Sequence, residues 1–226
     1  MPIYILNDQL QFPPVDEAED GILAIGGDLS VERLLLAYQS GVFPWFNEDD
    51  PIIWHSPDPR FILQLDDLHI SKSMRRVLNK NNFSYTLDTD FRFVIDACAN
   101  TKRKEEDGTW ITNDMINAYT ILHELGYAHS LEVWKNDKIV GGIYGVSLGK
   151  SFFAESMFHT ETNASKLAFI KLVQWLKKHD FHFLDAQVFT EHVATLGAKE
   201  ISRTEFMKLL KNSLQFKSKA GKWSIE

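Results

Sequence analysis

From Ala128 to Met157 the hydrophobic period is two, interrupted only at Asn136-Asp137 and Gly149-Lys150. Period two sends successive side chains to opposite faces of a strand. Short breaks of this composition close hairpins. The spacing therefore predicts an antiparallel meander of His129–Trp134, Lys138–Ser147 and Lys150–Met157. The period then becomes helical. Over Asn163–His179, Leu167, Phe169, Ile170, Leu172, Val173 and Leu176 are apolar, against polar Lys171, Gln174, Lys177 and Lys178. Phe181–Ala186 reads as a further strand and Thr190–Leu196 as a short helix closed by Gly197. Ser202-x-x-Glu205 is a capping box that opens a last helix. Meander, helix, strand, helix predicts an α+β unit with a mixed sheet. The strand after the long helix should lie parallel to a hairpin strand, with a ligand cleft where strands part.

Upstream, residues 1–62 are rich in Gly, Pro and Trp and are read as a small N-terminal domain, leaving 63–226 as the larger one. Ser30 caps a helix with Leu34, Leu35 and Tyr38 on its apolar face, ended by Gly41. Phe43-Pro44-Trp45-Phe46 and Trp54-His55-Ser56-Pro57-Asp58-Pro59-Arg60 have the proline density of extended, turn-rich backbone. Gly26-Gly27 is a tight turn and not a phosphate loop, since no Gly-Lys-Ser/Thr follows. Ser71 caps a helix over 72–80, and Thr112 caps one running to Gly126 with Met115, Ile116, Tyr119 and Leu122 buried.

Several classes are excluded at this level. The single Cys98 forms no internal disulfide and suits a reducing, cytoplasmic compartment. The histidines fall at no metal-ligand spacing, so no metal is expected. No apolar run approaches the ~20 residues of a membrane span, and Met1-Pro2-Ile3-Tyr4 has no basic segment of a secretory signal. Cys98 sits among Phe93, Val94 and Ala97 and reads as buried and inert. Net charge is −7, which argues against non-specific nucleic-acid binding. One local feature opposes that. Lys72, Arg75, Arg76 and Lys80 share a helix face with no acid between them, either a solvated face or a phosphate track. Lys102-Arg103-Lys104 is cancelled by Glu105-Glu106-Asp107 and reads as a surface loop.

The chemistry-bearing residues cluster at two strand ends. Phe152–Phe158 carries Glu155 inside an apolar run, and burying an unpaired charge costs several kcal/mol unless a partner or a function requires it. Strict alternation places Phe153, Glu155 and Met157 on one face, with Phe152, Ala154, Ser156 and Phe158 on the other. Phe183–Gln187 repeats the pattern with Asp185 and Gln187. Glu155 and Asp185 are read either as a general acid/base pair or as a negative well for a cation. Gln187 has no useful proton affinity and can only orient a group, with Asp185 fixing its amide. Trp110, in a loop entering a helix, is a stacking platform for a base or the hydrophobic staple of that helix. Trp45 poses the same choice. Ile143, Phe152, Phe169 and Leu172 are the candidates for an apolar side-chain pocket.

These residues, with Gly21–Leu29, Ala128–Trp134, Gly141–Val146, Asn163–Lys166 and Thr195–Ala198, resemble the leucyl/phenylalanyl-tRNA–protein transferases, in order and over about residues 4–210. The resemblance implies a GNAT-like C-terminal domain that uses no acetyl-CoA, hence no cofactor. It implies roles for Trp45, Trp110, Tyr119, Glu155, Asp185 and Gln187, and Ser156 is added to the substrate-binding set. Departures are His55, where a second aromatic is more usual, Ala186, where Cys is common, and a longer stretch from Cys98 to Trp110.

The implied reaction moves Leu or Phe, with Met as a further donor, from aminoacyl-tRNA to the α-amine of proteins that begin with Lys or Arg, marking them for degradation. Lys72, Arg75 and Arg76 are assigned to the tRNA, and a monomer is expected. Two alternatives differ in class. An amine acetyltransferase needs an Arg/Gln-x-x-Gly-x-Gly/Ala loop before the long helix, where this chain has His159-Thr160-Glu161-Thr162-Asn163-Ala164. A non-catalytic RNA-binding module leaves Glu155, Asp185 and Gln187 unexplained.

Overall fold

A computed structural model describes residues 3–101 and 110–225. In chain order the elements are β1 (Tyr4–Leu6), β2 (Ile22–Gly26), α1 (Val31–Gln39), β3 (Phe43–Pro44), β4 (Ile53–His55), β5 (Arg60–Gln64), α2 (Lys72–Asn79), β6 (Ser84–Leu87), α3 (Phe91–Ala99), α4 (Asn113–Glu124), β7 (Ala128–Lys135), β8 (Lys138–Leu148), β9 (Ser151–His159), α5 (Ala164–Lys178), β10 (Phe183–Asp185), α6 (Glu191–Ala194), β11 (Lys199–Ile201) and α7 (Arg203–Ser213). The charged run 102–107, and Gly108 and Thr109 before Trp110, lie outside the described residues. No helix among the described residues is long and apolar enough to cross a membrane.

Two sheets form. The smaller has the order β1-β2-β4-β3, and the larger runs β11-β5-β10-β9-β8-β7-β6. The expected meander is β7-β8-β9, antiparallel throughout, and β10 pairs β9 in parallel after α5. The α+β architecture with a mixed, helix-flanked sheet is thus the one observed. The boundary expected at residue 62 falls inside β5, which is antiparallel to β10 and already part of the larger sheet.

The larger sheet separates two apolar layers. On one side Tyr144, Val146, Phe153, Phe158 and Phe183 pack with residues of α1, α3, α4 and α7 and of the smaller sheet. On the other, Leu131, Ile143, Phe152, Ala154 and Leu184 pack with α2, α5 and α6 and with Trp223. The helix starts are fixed by side chains. Ser30, Ser71, Asp90, Thr112, Thr190 and Ser202 each accept from a backbone N–H in the first turn of their helix. Helix α5 begins differently, from Asn163 in the left-handed conformation with no side-chain cap.

One irregularity positions the site. Gly145 pairs with Ala154 but Tyr144 pairs with Ser156, so Glu155 is the extra residue of a β-bulge. The bulge shifts the alternation by one. Phe153 and Phe158 belong to one layer, and Phe152, Ala154 and Met157 to the other. The faces expected from strict alternation are therefore correct up to Glu155 and reversed after it. The extra residue lets Glu155 and Ser156 follow each other toward one side, which period two forbids.

Gly145, opposite the bulge, has no room for a side chain. A Cβ there would sit 2.1 Å from the Phe153 carbonyl oxygen and 2.6 Å from the Phe152 ring. Gly145→Ala is expected to lower stability by about 1–3 kcal/mol, the usual scale for overpacking. In a thermal melt each kcal/mol corresponds to roughly 2–4 °C for a chain of this size. A melt at the wild-type temperature would show that the strands can part at the bulge at no cost.

Candidate active site

Pairing between β9 and β10 stops at Phe153–Asp185, and β9 continues to His159 while the other chain turns away. A cleft of about 360 Å³ opens at this parting. Its apolar walls include Ile143, Ala154, Met157, Phe169, Ala186, Val188 and Val193, with Phe43, Pro44 and Trp45 from the smaller sheet. Trp110, Ser156, His159, Ser165, Thr190 and His192 also line it, with Thr101. Glu155 and Gln187 lie at its floor, each under a tenth exposed.

The turn after β10 has a defined cause. Val188 N–H donates to the Ala186 carbonyl, and Gln187 takes φ +66°. A left-handed Gln is uncommon and needs support from its surroundings. That support is Asp185, whose Oδ1 accepts the Gln187 backbone N–H at 2.9 Å. Asp185 is in turn held by Arg60, from Nη2 to Oδ2 at 2.6 Å and from Nε to Oδ1 at 2.9 Å. Both residues are buried. Arg60 Nη1 also donates to the Gly41 carbonyl, and the guanidinium lies between the Phe43 and Phe206 rings, 4.8 and 4.4 Å from their centroids.

The Gln187 side chain points its amide at Glu155, Nε2 donating to Oε1 at 2.7 Å. Tyr38 Oη donates to the same oxygen at 2.8 Å, and Tyr119 Oη lies 3.2 Å from Oε2. The two tyrosine hydroxyls also contact one another. Burial pushes the Glu155 carboxyl up to about 7, with the three hydrogen-bonding partners pulling it down and the Asp185 charge pushing it further up. Burial likewise holds both tyrosine hydroxyls well above their ordinary value, so they stay protonated. Trp45 is braced by His55, whose Nε2 meets the Trp45 carbonyl at 3.0 Å and whose imidazole is shifted by burial to a lower pKa than usual.

Several sequence expectations change here. Glu155 and Asp185 do not form a negative well, because Asp185 is neutralised by Arg60 and does not line the cleft. Asp185 fixes the Gln187 backbone and not its side-chain amide, and Gln187 lies beyond the strand. Phe152 and Leu172 are core residues on the α5 side of the sheet, whereas Ile143 and Phe169 do line the cleft. Phe152 precedes the bulge, under Gly145 and 6.0 Å from the Trp223 ring, and Leu172 lies a turn beyond Phe169 along α5. Tyr119 is fully buried and reaches the cleft only through Glu155. Trp110 lines the cleft, while the staple position next to the Thr112 cap is occupied by Ile111. Two residues with no assigned role, Arg60 and Tyr38, are central to the site. Arg60 ended a dense aromatic and proline run in the sequence, and a hydroxyl on the buried face of α1 was the one local sign of Tyr38.

A family model described as leucyl/phenylalanyl-tRNA protein transferase matches residues 62–211. A second, described as the N-terminal domain of the same protein, matches residues 27–58. This chain belongs to that family.

Relatives named leucyl/phenylalanyl-tRNA–protein transferase include one from Syntrophotalea carbinolica, 54% identical over 94% of this chain and 93% of its own length. Another, from Flavobacterium johnsoniae, is 54% identical over 93% of this chain and all of its own length. A third, from Syntrophus aciditrophicus, is 52% identical over 99% and 94%. Among solved structures, similarity extends to L-PGS from Bacillus licheniformis, with a TM-score of 0.40 and 16% identity over 73% of this chain and 55% of that one. A GCN5-related N-acetyltransferase from Kribbella flavida gives a TM-score of 0.39 and 8% identity over 74% and 60%.

Arg60→Met leaves the Asp185 charge buried and unpaired, and a loss of about 3–5 kcal/mol is expected in urea unfolding. Arg60→Lys should recover only part of this, since an ammonium cannot span both carboxylate oxygens and the Gly41 carbonyl. Wild-type stability for Arg60→Met would remove the pair from the account of how Gln187 is held.

Proposed function

We propose that this protein is an aminoacyltransferase that moves Leu or Phe from aminoacyl-tRNA to the α-amine of proteins beginning with Lys or Arg. The observation that carries this reading is the Gln187 amide, clamped by Glu155 at the floor of an apolar cleft in a chain of this family. The α-amine attacks the ester carbonyl carbon, the bond to the ribose 3′ oxygen breaks, and the amine proton passes to that oxygen. Ester to amide is downhill, so neither ATP nor a covalent enzyme intermediate is needed. A free α-amine has a pKa of about 8 and supplies a usable neutral fraction near pH 7. With its NH2 committed to Glu155, Gln187 offers its carbonyl oxygen as the acceptor that aligns the amine N–H.

The donor's Leu or Phe side chain fits the walls built by Ile143, Met157 and Phe169, and Ser156 stands beside it as a hydrogen-bonding group. Trp45 and Trp110, both in the cleft lining, suit a base or ribose of the tRNA end. The exposed cations Lys72, Arg75 and Arg76 of α2 suit its phosphates. The smaller sheet is read as a small N-terminal domain that contributes Trp45, with its seam between residues 55 and 60. A monomer working in the cytoplasm fits this reading.

Transfer of labelled Phe from Phe-tRNA to a peptide beginning with Arg, and not to one beginning with Ala, tests the proposal. No transfer to either peptide would overturn it. Gln187→Ala is expected to slow turnover at saturating substrates by about 10²–10⁴-fold, the range for a proton-handling or aligning group. Binding of Phe-tRNA should stay near wild type, and equal losses of both would make Gln187 a binding residue instead. Reversing Lys72, Arg75 and Arg76 together to Glu should weaken tRNA binding and reduce the log–log salt slope by about 2–3. An unchanged slope would move the tRNA track off α2.

A further inference from the structure

The carboxyl at the cleft floor is enclosed by hydroxyls that the transfer chemistry itself does not use. Glu155 Oε1 meets Tyr38 Oη at 2.8 Å, Oε2 meets Tyr119 Oη at 3.2 Å, and the two hydroxyls meet each other. These contacts close a triangle of oxygen-bearing groups from β9, α1 and α4, all buried. Each hydrogen bond needs one proton. An ionised Glu155 leaves two hydroxyl protons for three contacts, so one contact sets lone pair against lone pair out of reach of water. A neutral Glu155 supplies the third proton. Oε2–H then donates to Tyr119, Tyr119 to Tyr38, and Tyr38 to Oε1, each hydroxyl acting once as donor and once as acceptor. Oε1 still accepts from Gln187 Nε2.

The surrounding groups agree. Beyond the tyrosines on α1 and α4 and Gln187 after β10, the charged group acting on Glu155 among the described residues is Asp185, which opposes ionisation. Arg60 on β5 is spent on Asp185, and β8 presents the Tyr144 ring to Tyr119 at 5.9 Å. We propose that Tyr38 and Tyr119 are positioning residues that hold Glu155 as a neutral acid, and that this uncharged triangle keeps the Gln187 amide in register for transfer. The proposal deepens the transferase reading and rests on it only for what Gln187 does. It suits that reaction, because a carboxylate beside the acceptor would hold the incoming amine as an unreactive ammonium.

The proton is retained until the pH rises through about 7, well above the ordinary 4.5. The stability it contributes is therefore full below 4.5 and lost on going alkaline through 7. The test is the infrared carbonyl band of a protonated carboxylic acid, titrated without substrates in the whole protein. The expected band has a component that fades with a midpoint near 7 and is missing in Glu155→Gln. Tyr38→Phe and Tyr119→Phe each open the ring that only a neutral Glu155 completes, so their midpoints should move down by about one pH unit, whereas removing a plain donor to a carboxylate would move them up. A band that fades only in the ordinary carboxylate range, or a component near 7 that survives in Glu155→Gln, overturns the neutral acid. Midpoints unmoved or raised in both tyrosine variants overturn their positioning role. The titration needs no tRNA, so an active enzyme with an ordinary Glu155 refutes this proposal alone. An inactive protein with the expected titration refutes only the transferase reading and upholds the neutral acid.

Discussion

The buried pair of Arg60 and Asp185 is the contact from which the rest of the site hangs. It joins β5 to β10, and through Gly41, Phe43 and Phe206 it also ties in the smaller sheet and α7. Two charges taken from water are costly, and their attraction compensates only with near-ideal geometry and further hydrogen bonds. Here the fork reaches both carboxylate oxygens, a backbone carbonyl takes a third N–H, and aromatic faces cover the guanidinium. Asp185 then has one acceptor site to spare, and it goes to the Gln187 backbone. The order of dependence runs from Arg60 through Asp185 and Gln187 to Glu155 and the two tyrosines.

Local patterns were legible in the sequence and long-range ones were not. The meander, the long helix and four Ser or Thr helix caps follow from spacings within a few residues. The parallel strand followed from the length of the connection. The bulge at Glu155 was invisible, because it depends on which residue of β8 faces which residue of β9. Missing it reversed the faces beyond Glu155. Asp185 was read as a free carboxylate because its partner lies 125 residues away. Tyr38 was read as part of an apolar face, and the face is indeed buried, but its hydroxyl continues to the site. The same limit explains Phe152 and Leu172, apolar residues whose layer is set by tertiary packing and not by their own periodicity.

The strand order also dictates when the site can exist. Strand β10 has three residues and gains its pairs from β5 and from β9, neither of them adjacent to it in sequence. Non-local pairing of this kind closes large loops before any contact compensates for the lost chain entropy. The cleft floor is assembled only after both flanking strands are in place. Loss of either flanking strand therefore takes the cleft floor with it.

The left-handed backbone at Gln187 separates what the fold prefers from what the site requires. Gly or Asn would adopt φ +66° with less strain. Gly has no amide, and Asn is one methylene too short to keep the reach that Gln187 makes to Glu155. A search for stabilising substitutions guided by backbone preference alone would pick this position early and disable the cleft in doing so. Tolerance to Gly or Asn here, set against activity, is therefore a compact measure of how far selection for function has overruled selection for stability in this fold.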